Sequence, residues 1–226
     1  MAGNRAYLLV EMHTLSKNSP ISPSVHLELT TLIGSGNDRH CWRHPLDDAL
    51  CVKVAKPEQE RPQNDIDYHY WCHLQKRNIR SKHMPHVHGW VSTNHGLGLV
   101  CEMIRQPDGS PSPMLLDAVM GRQISREHAV ALVEQAFDWL IQYKVILADH
   151  DVDNMLVRQG RDGQHHLVFI DGLGARNFDM QYWVRRHVGF KAVWKAKEFR
   201  QRTLDQLNAA CGLGRAGQHS VGQMSF

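Results

Sequence analysis

Long apolar runs are missing from this 226-residue chain. A membrane-spanning helix needs ~20 consecutive apolar residues, and the uninterrupted runs here are only a few residues long, so no transmembrane segment is expected. Ala6-Tyr7-Leu8-Leu9-Val10 is too short for a signal-peptide core. Charge of one sign is also scarce. The net charge is +3, too small to demand a nucleic-acid partner, and none is expected. Cysteines are few and odd in number: Cys41, Cys51, Cys72, Cys101 and Cys211 are scattered, three of them in apolar strands or helices. That excludes a disulfide framework and fits buried thiols in a reducing cytoplasm. There are no internal repeats. With 42 % hydrophobic and 22 % charged residues, the chain has the makeup of an ordinary globular protein. Its length suffices for one two-lobed unit or two small domains.

The periodicities predict an α+β chain. Residues 1 to 24 are irregular, broken by Ser19-Pro20 and Ser22-Pro23. His26 to Ile33 reads as a first strand, and Trp42 to Val54 as two more around Pro45-Leu46-Asp47-Asp48. Ile66, Tyr70 and Leu74 recur at helical spacing within Asp65 to Arg77. Val87 to Ser92 and Leu97 to Ile104 form a strand pair, and Pro107 to Pro113 a linker. Two helices follow, Leu115 to Met120 and His128 to Tyr143; the second carries a Val130, Val133, Phe137, Leu140 stripe and cap chemistry at Ser125. A hairpin turns across Gly160 to Gly163. Val193, Ala196, Phe199, Thr203, Leu207 and Ala210 line a late helix that Gly212 is expected to end.

Asp149, Asn154 and Asp171 carry the most chemistry. Leu147-Ala148-Asp149-His150-Asp151-Val152-Asp153-Asn154 has the form D-x-x-x-x-N and leads into an apolar strand, and Val168-Phe169-Ile170-Asp171-Gly172 is an apolar strand ending in Asp-Gly. This order and spacing resembles the catalytic loop and metal-binding Asp of protein kinases. Such chemistry needs a carboxylate at the attacking hydroxyl, and an Asn and a second Asp holding Mg²⁺ against phosphates. Asp149 is the expected proton acceptor or hydroxyl-orienting residue; Asn154 and Asp171 are the expected metal ligands. Asp151 and Asp153 share the loop, but counting back from Asn154 selects Asp149. Upstream, Gly34-Ser35-Gly36 follows a strand, and Cys51-Val52-Lys53-Val54 places one Lys in another. In the kinase layout a Gly-rich loop covers the nucleotide phosphates and a strand Lys pairs with them. Each feature has a plainer reading: Gly-Ser-Gly as a turn, Lys53 as a snorkelling edge residue, Asp149 and Asp171 as turn residues. Their joint order is much harder to obtain by accident.

Gly34-Ser35-Gly36-Asn37-Asp38-Arg39-His40-Cys41-Trp42-Arg43-His44-Pro45, followed by Cys51-Val52-Lys53-Val54, resembles the start of the YrbL family, the PhoP regulatory network proteins of Gram-negative bacteria. The likeness continues through Tyr68-His69-Tyr70-Trp71-Cys72-His73-Leu74, Met84-Pro85-His86-Val87-His88-Gly89 and Gly96 to Ile104, covering about residues 30 to 200. It implies a small protein-kinase-like fold. A first lobe, residues 26–104, would hold a twisted antiparallel sheet, the Gly loop, Lys53 and a helix. A reduced, mainly helical second lobe, residues 105–212, would hold the catalytic loop and Asp171, with residues 1–25 and 213–226 as irregular termini. The resemblance puts the helix partner of Lys53 at Asp67, one methylene shorter than the usual Glu, with Asp65 as competitor. It also likens Glu102 to the hinge residue whose backbone meets the nucleotide base. The implied cofactors are ATP and Mg²⁺.

Departures from the protein-kinase pattern narrow the function. Leu147-Ala148 stands where His-Arg is usual, Asp171-Gly172-Leu173 replaces Asp-Phe-Gly, no Ala-Pro-Glu follows, and only 55 residues remain after Asp171. Regulated phosphorylation of extended peptides is disfavoured. The expected activity is transfer of the ATP γ-phosphate to a hydroxyl of a sugar, such as an envelope saccharide, or of a protein Ser/Thr. The alternatives are a nucleotide-binding pseudokinase acting as a regulatory module, against which Asp149, Asn154 and Asp171 argue, and a nucleotide-free scaffold, against which Lys53 argues. From Arg185 to Arg202, seven basic residues face Glu198 alone, a net +6, with Trp183 and Trp194 beside them. Either this is a solvated helix face or an acceptor-side surface; in the second case an anionic acceptor is favoured. His83-x-x-His86-x-His88 and His165-His166 suggest a metal site, but no Cys pair at zinc spacing supports one, and packed or solvated His is the better account.

Overall fold

In the computed structural model of the chain, residues 25–57, 63–174 and 189–218 are described. They form two compact units, the first ending at Ile104 and excluding Ser81–Met84, the second made of Ser81–Met84 and the residues from Arg105 onward. The architecture is mixed α+β, with a six-stranded, mostly antiparallel sheet, a two-stranded sheet and four α-helices among the described residues.

The first unit is built on β1 (His26–Leu27), β2 (Leu32–Ser35), β3 (Arg39–Arg43), β4 (Leu50–Ala55), β5 (Val87–Thr93) and β6 (Gly96–Glu102), in the order β1-β5-β6-β4-β3-β2. The single strand expected over His26 to Ile33 is thus two strands on opposite edges of the sheet. β1 pairs in parallel with β5, the one parallel pair among the described residues, and β2 pairs antiparallel with β3. Between them the chain crosses one sheet face. Asn94 holds the crossing: its Oδ1 accepts from Leu29 N at 2.9 Å and its Nδ2 donates to Leu29 O at 3.2 Å. Leu27 and Leu29 then pack on Leu50, Val52, Val54, Val91 and Val100. Leu27 and Leu29 are buried while His26, Glu28 and Thr30 are exposed, so the crossing keeps the alternation of a strand and a period-two pattern cannot tell it from one.

Because side chains alternate along a strand, the other face of β4 presents Cys51 and Lys53. It packs Cys51, Val87, Trp90, Leu99 and Cys101 against Tyr68 and Trp71 of α1 (Gln63–Lys76). The predicted Ile66, Tyr70, Leu74 stripe is fully buried.

The second unit holds α2 (Leu115–Met120), α3 (Arg126–Tyr143), a 3₁₀ turn at Val152–Asn154, the hairpin β7 (Met155–Gln159) and β8 (His165–Phe169), and α4 (Gly189–Gln218). Ser125 caps α3, its hydroxyl accepting from His128 N at 3.1 Å. Lys144, with φ 54°, ends it. Residues 105 to 111 form a tight turn closed by Gln106 N to Ser110 O at 2.8 Å, where a linker was expected. Gln106 also bridges to β7, donating to Val157 O and accepting from Gln159 N. Against expectation, α4 runs through Gly212 to Gln218. A glycine lowers helix stability but stops a helix only where its φ turns positive, and Gly212 is not among the positive-φ residues. The termini expected over 1–25 and 213–226 otherwise lie outside the described residues, apart from Val25.

Gly98 sits on β6 where a Cβ would lie 2.5 Å from Cγ1 of the buried, stiff Val52. Gly98→Ala is expected to lower unfolding stability by about 1–3 kcal/mol, the usual range for overpacking. Urea denaturation followed by tryptophan fluorescence measures this.

Candidate functional site

In the first unit the Gly34-Ser35-Gly36 segment is the exposed end of β2, and Gly36 N donates to Arg39 O at 2.9 Å to close the turn. Neither Gly34 nor Gly36 has a positive φ, and a Cβ on either would meet only ordinary contacts at 4.0 and 3.8 Å. The backbone shape does not demand glycine at either position. What glycine leaves there is open space beside two backbone amides.

Lys53 and the α1 acid lie within one buried polar lattice. Lys53 Nζ is 3.9 Å from Asp67 Oδ2. The shorter contact to that carboxylate comes from Arg39: its Nη1 is 2.6 Å from Asp67 Oδ2 and 3.0 Å from Asn64 Oδ1. Asn64 Nδ2 in turn donates to Lys53 O at 2.9 Å, and Gln63 Nε2 reaches the other Asp67 oxygen at 3.4 Å. Arg39 is 6 % exposed, so its charge needs this carboxylate. Spacing gave no weight to Arg39. The available signal was its position on β3, two residues from Cys41 and hence on the face shared with Lys53. Asp65 is also buried, but Asp67 is the acid within 3.9 Å of Lys53 Nζ.

The two buried thiols on this face, Cys51 and Cys101, are not poised as nucleophiles. Burial pushes the Cys101 thiol up to about 12. The hydrogen bond with Cys41, then burial, raises Cys51 well above the usual thiol value. Both stay protonated at neutral pH. Glu102 ends β6; its N–H donates to His86 O at 2.8 Å and its carboxylate accepts from His86 N at 3.1 Å. Its N–H is therefore engaged with the residue that precedes β5.

In the second unit the three motif residues are drawn together by the backbone. Ile170 N donates to Asn154 O at 2.9 Å, Ala148 N to Gly172 O at 2.7 Å, and Gly174 N to Ile146 O at 2.9 Å. Leu147 and Leu173 form a β-bridge. The segment after β8 thus folds back along the segment that enters the Asp149 loop. Gly172 makes the closest approach. Its φ is +81°, and a Cβ there would fall 2.9 Å from Asp149 Cβ and 3.1 Å from Asp149 O. Only glycine satisfies both the dihedral and the space. Asp171 Oδ1 accepts from Gly172 N at 2.7 Å, while β8 itself stops at Phe169, two residues short of Asp171.

Asx turns shape the loop. Asp149 Oδ1 accepts from Asp151 N at 3.3 Å, and Asp151 Oδ1 accepts from Asp153 N at 3.2 Å. Asp151 therefore caps the 3₁₀ turn that delivers Asn154. α4 supports the loop from behind: the fully buried Thr203 hydroxyl donates to His150 O at 3.1 Å, and Phe199 stacks on the His150 ring at 4.5 Å.

The family model for the PhoP regulatory network protein YrbL matches residues 25–204. The chain belongs to the YrbL family. It is similar to the YrbL proteins of Escherichia coli (strain K12) and Shigella flexneri, both described as uncharacterized. With each it shares 26 % identity over 156 residues, 66 % of this chain and 73 % of the relative. The family model's match spans the Gly34 to Lys53 segment, the Asp149 loop and Asp171-Gly172.

The histidines are engaged elsewhere. His83 Nδ1 lies 2.8 Å from Leu167 O, so that nitrogen carries the proton, and His83 O accepts from Phe169 N at 3.0 Å. His86 packs edge-on against Trp71 and beside His88. Among the described residues no group of three or more His, Cys, Asp or Glu is set to hold a metal ion. No helix of the described residues is long and apolar enough to cross a membrane, and no disulfide joins the five cysteines. On α4, Arg200 pairs with Asp138 at 2.9 Å and Arg202 pairs with Glu198, which offsets part of the expected basic strip. Trp183, Arg185 and Arg186 lie outside the described residues.

Arg39→Met is expected to cost about 1.5–3 kcal/mol, the range for hydrogen bonds to charged groups. Asp67→Asn should cost less in that background than alone, as a double-mutant cycle by urea unfolding would record. Burial holds the His83 pKa below 6.5. The unfolded chain therefore takes up a proton that the folded chain resists. The His83 contribution is complete above pH 6.5 and is lost as pH falls below it. His83→Gln should flatten the acid limb of the stability curve below pH 6.5, measured by urea midpoints.

Proposed function

We propose that the chain is an ATP- and Mg²⁺-dependent phosphotransferase with a protein-kinase-like two-lobed fold, moving the γ-phosphate to a hydroxyl of a sugar or small molecule, or of a protein Ser/Thr. The observation that carries this is the pinned trio of the second unit. Asp149 is held against Gly172, and Asn154 is one backbone hydrogen bond from the residue before Asp171. The order fits a proton acceptor followed by two oxygen donors.

The donor set suits Mg²⁺. That ion takes oxygen ligands, keeps several waters and uses one or two carboxylates plus substrate phosphates, so a larger acidic cluster is not required. Asn154 and Asp171 would hold it; when bound it neutralises and orients phosphate oxygens. Asp149 would orient the acceptor hydroxyl and take its proton. Lys53, restrained through Asn64 and Asp67, would pair with the phosphates beneath the open Gly34-Ser35-Gly36 turn. Glu102 would meet the base through its carbonyl. A cytoplasmic setting fits buried, protonated thiols, and the family's PhoP-network name suggests a role within that regulatory system.

One observation favours the second reading, a nucleotide-binding pseudokinase acting as a regulatory module. Arg39, not Lys53, makes the short contact to Asp67, so the usual Lys–acid pair is shared with a second cation.

Thermal-shift titration with ATP and Mg²⁺ tests the reading. The wild type is expected to be stabilised only when both are present, and Asp171→Asn should abolish most of the shift while the unliganded melting point survives. Equal shifts would remove Asp171 from the site. Asp149→Asn should keep the shift and lose radiolabel transfer by at least ~100-fold, the low end for a general base. Wild-type binding without transfer to any acceptor would select the regulatory module.

A further inference from the structure

The N-terminal part of α4 carries a feature that phosphoryl transfer does not use. Phe190 is 78 % exposed and Trp194 62 %. They are one turn apart, about 40° from each other around the helix at 100° per residue. The packed side of the same helix is formed by Ala192, Ala196, Phe199, Thr203 and Leu207, all buried, so the aromatic pair points away from the core. An aromatic pair left in water costs hydration free energy with no return inside the unit.

The charges around the pair have one sign. Lys191 and Lys195 flank it on one side and Lys197 on the other, and residues 190–197 contain no acid. The neighbouring acids are engaged: Glu198 pairs with Arg202, and Asp138 with Arg200. Lys195 is engaged as well, its Nζ 4.8 Å from the centre of the Phe199 ring.

We propose that this face of α4 docks onto an anionic phospholipid surface, with Phe190 and Trp194 entering the headgroup–acyl boundary and Lys191 and Lys197 meeting lipid phosphates. The face is convex: two large side chains project from a helix. Insertion into a soft interface needs projection, whereas a soluble saccharide needs a concave wall to bury it. Lysine stems can lie along the boundary while their ammonium groups stay in water. The pairing of aromatic anchors with flanking cations supplies the two signals that stable peripheral binding requires.

Co-sedimentation of the full chain with phosphatidylcholine vesicles, and with equimolar phosphatidylcholine and phosphatidylglycerol vesicles, tests this. The chain should pellet with the anionic vesicles, less so as salt rises, and stay in solution with the neutral ones. Phe190→Ser/Trp194→Ser and, separately, Lys191→Glu/Lys197→Glu should each lower the bound fraction at least ~10-fold with unchanged melting points, because these side chains lie outside the core. No pelleting of the wild type overturns the proposal, as does pelleting that ignores the aromatic pair. Light scattering that shows a dimer dissociated by Phe190→Ser/Trp194→Ser, with no vesicle binding, assigns the face to a second copy instead. Saturable binding of glucose 1-phosphate that is lost in Lys191→Glu/Lys197→Glu, again with no vesicle binding, assigns it to a soluble anion.

Discussion

Gly172 against Asp149 is the contact on which the candidate site depends. A side chain at 172 would collide with both the backbone and the Cβ of Asp149. Its absence lets the segment following β8 lie along residues 146–148, through Ala148 N to Gly172 O and Gly174 N to Ile146 O. Once those bonds form, Asp171 has no choice of place: it lies between Ile170, bonded to Asn154, and Gly172, bonded to Ala148. Three polar residues, the outer two separated by more than twenty positions in sequence, are thereby fixed by backbone geometry. Fixing donors before a ligand arrives removes the ordering cost at the moment of binding, which is what the proposed transfer chemistry asks of them.

The first unit uses a different device. Its polar residues are locked by a buried cation. Arg39 spans Asn64 and Asp67, and Asn64 ties α1 to the carbonyl of Lys53. A carboxylate shorter than Glu can serve here because Arg39 fills the reach that Asp67 lacks. The guanidinium fork offers several donors in a fixed plane, so one side chain meets an amide and a carboxylate at once. Lys53 is left at the longer distance from Asp67, close enough to be restrained electrostatically.

The helices and hairpins were legible wherever one face is buried against a single neighbour. Ile66, Tyr70 and Leu74 on α1, and Val133, Phe137 and Leu140 on α3, show the period that burial imposes. The crossing at residues 28–31 was not legible, because Leu27 and Leu29 turn inward between exposed His26, Glu28 and Thr30, the same alternation that a strand shows. Nor was the continuation of α4 past Gly212, since composition cannot distinguish a helical glycine from a terminating one. In the candidate site, Asp149, Asn154 and Asp171 were visible through spacing because a loop of fixed length must deliver them. Arg39 and Thr203 were not. Their roles rest on contacts with Asp67 and with the His150 carbonyl, 28 and 53 positions away, and no local pattern encodes such distances.

The central claim is that Asn154 and Asp171 hold a metal-bound nucleotide. A crystal structure of the chain with Mg²⁺ and a non-hydrolysable ATP analogue measures it most directly. The account predicts one Mg²⁺ bonded to side-chain oxygens of both residues at about 2.0–2.1 Å, bridging to analogue phosphates. A nucleotide bound with its metal touching neither residue, or a saturated crystal with no nucleotide near Asp171, would contradict it.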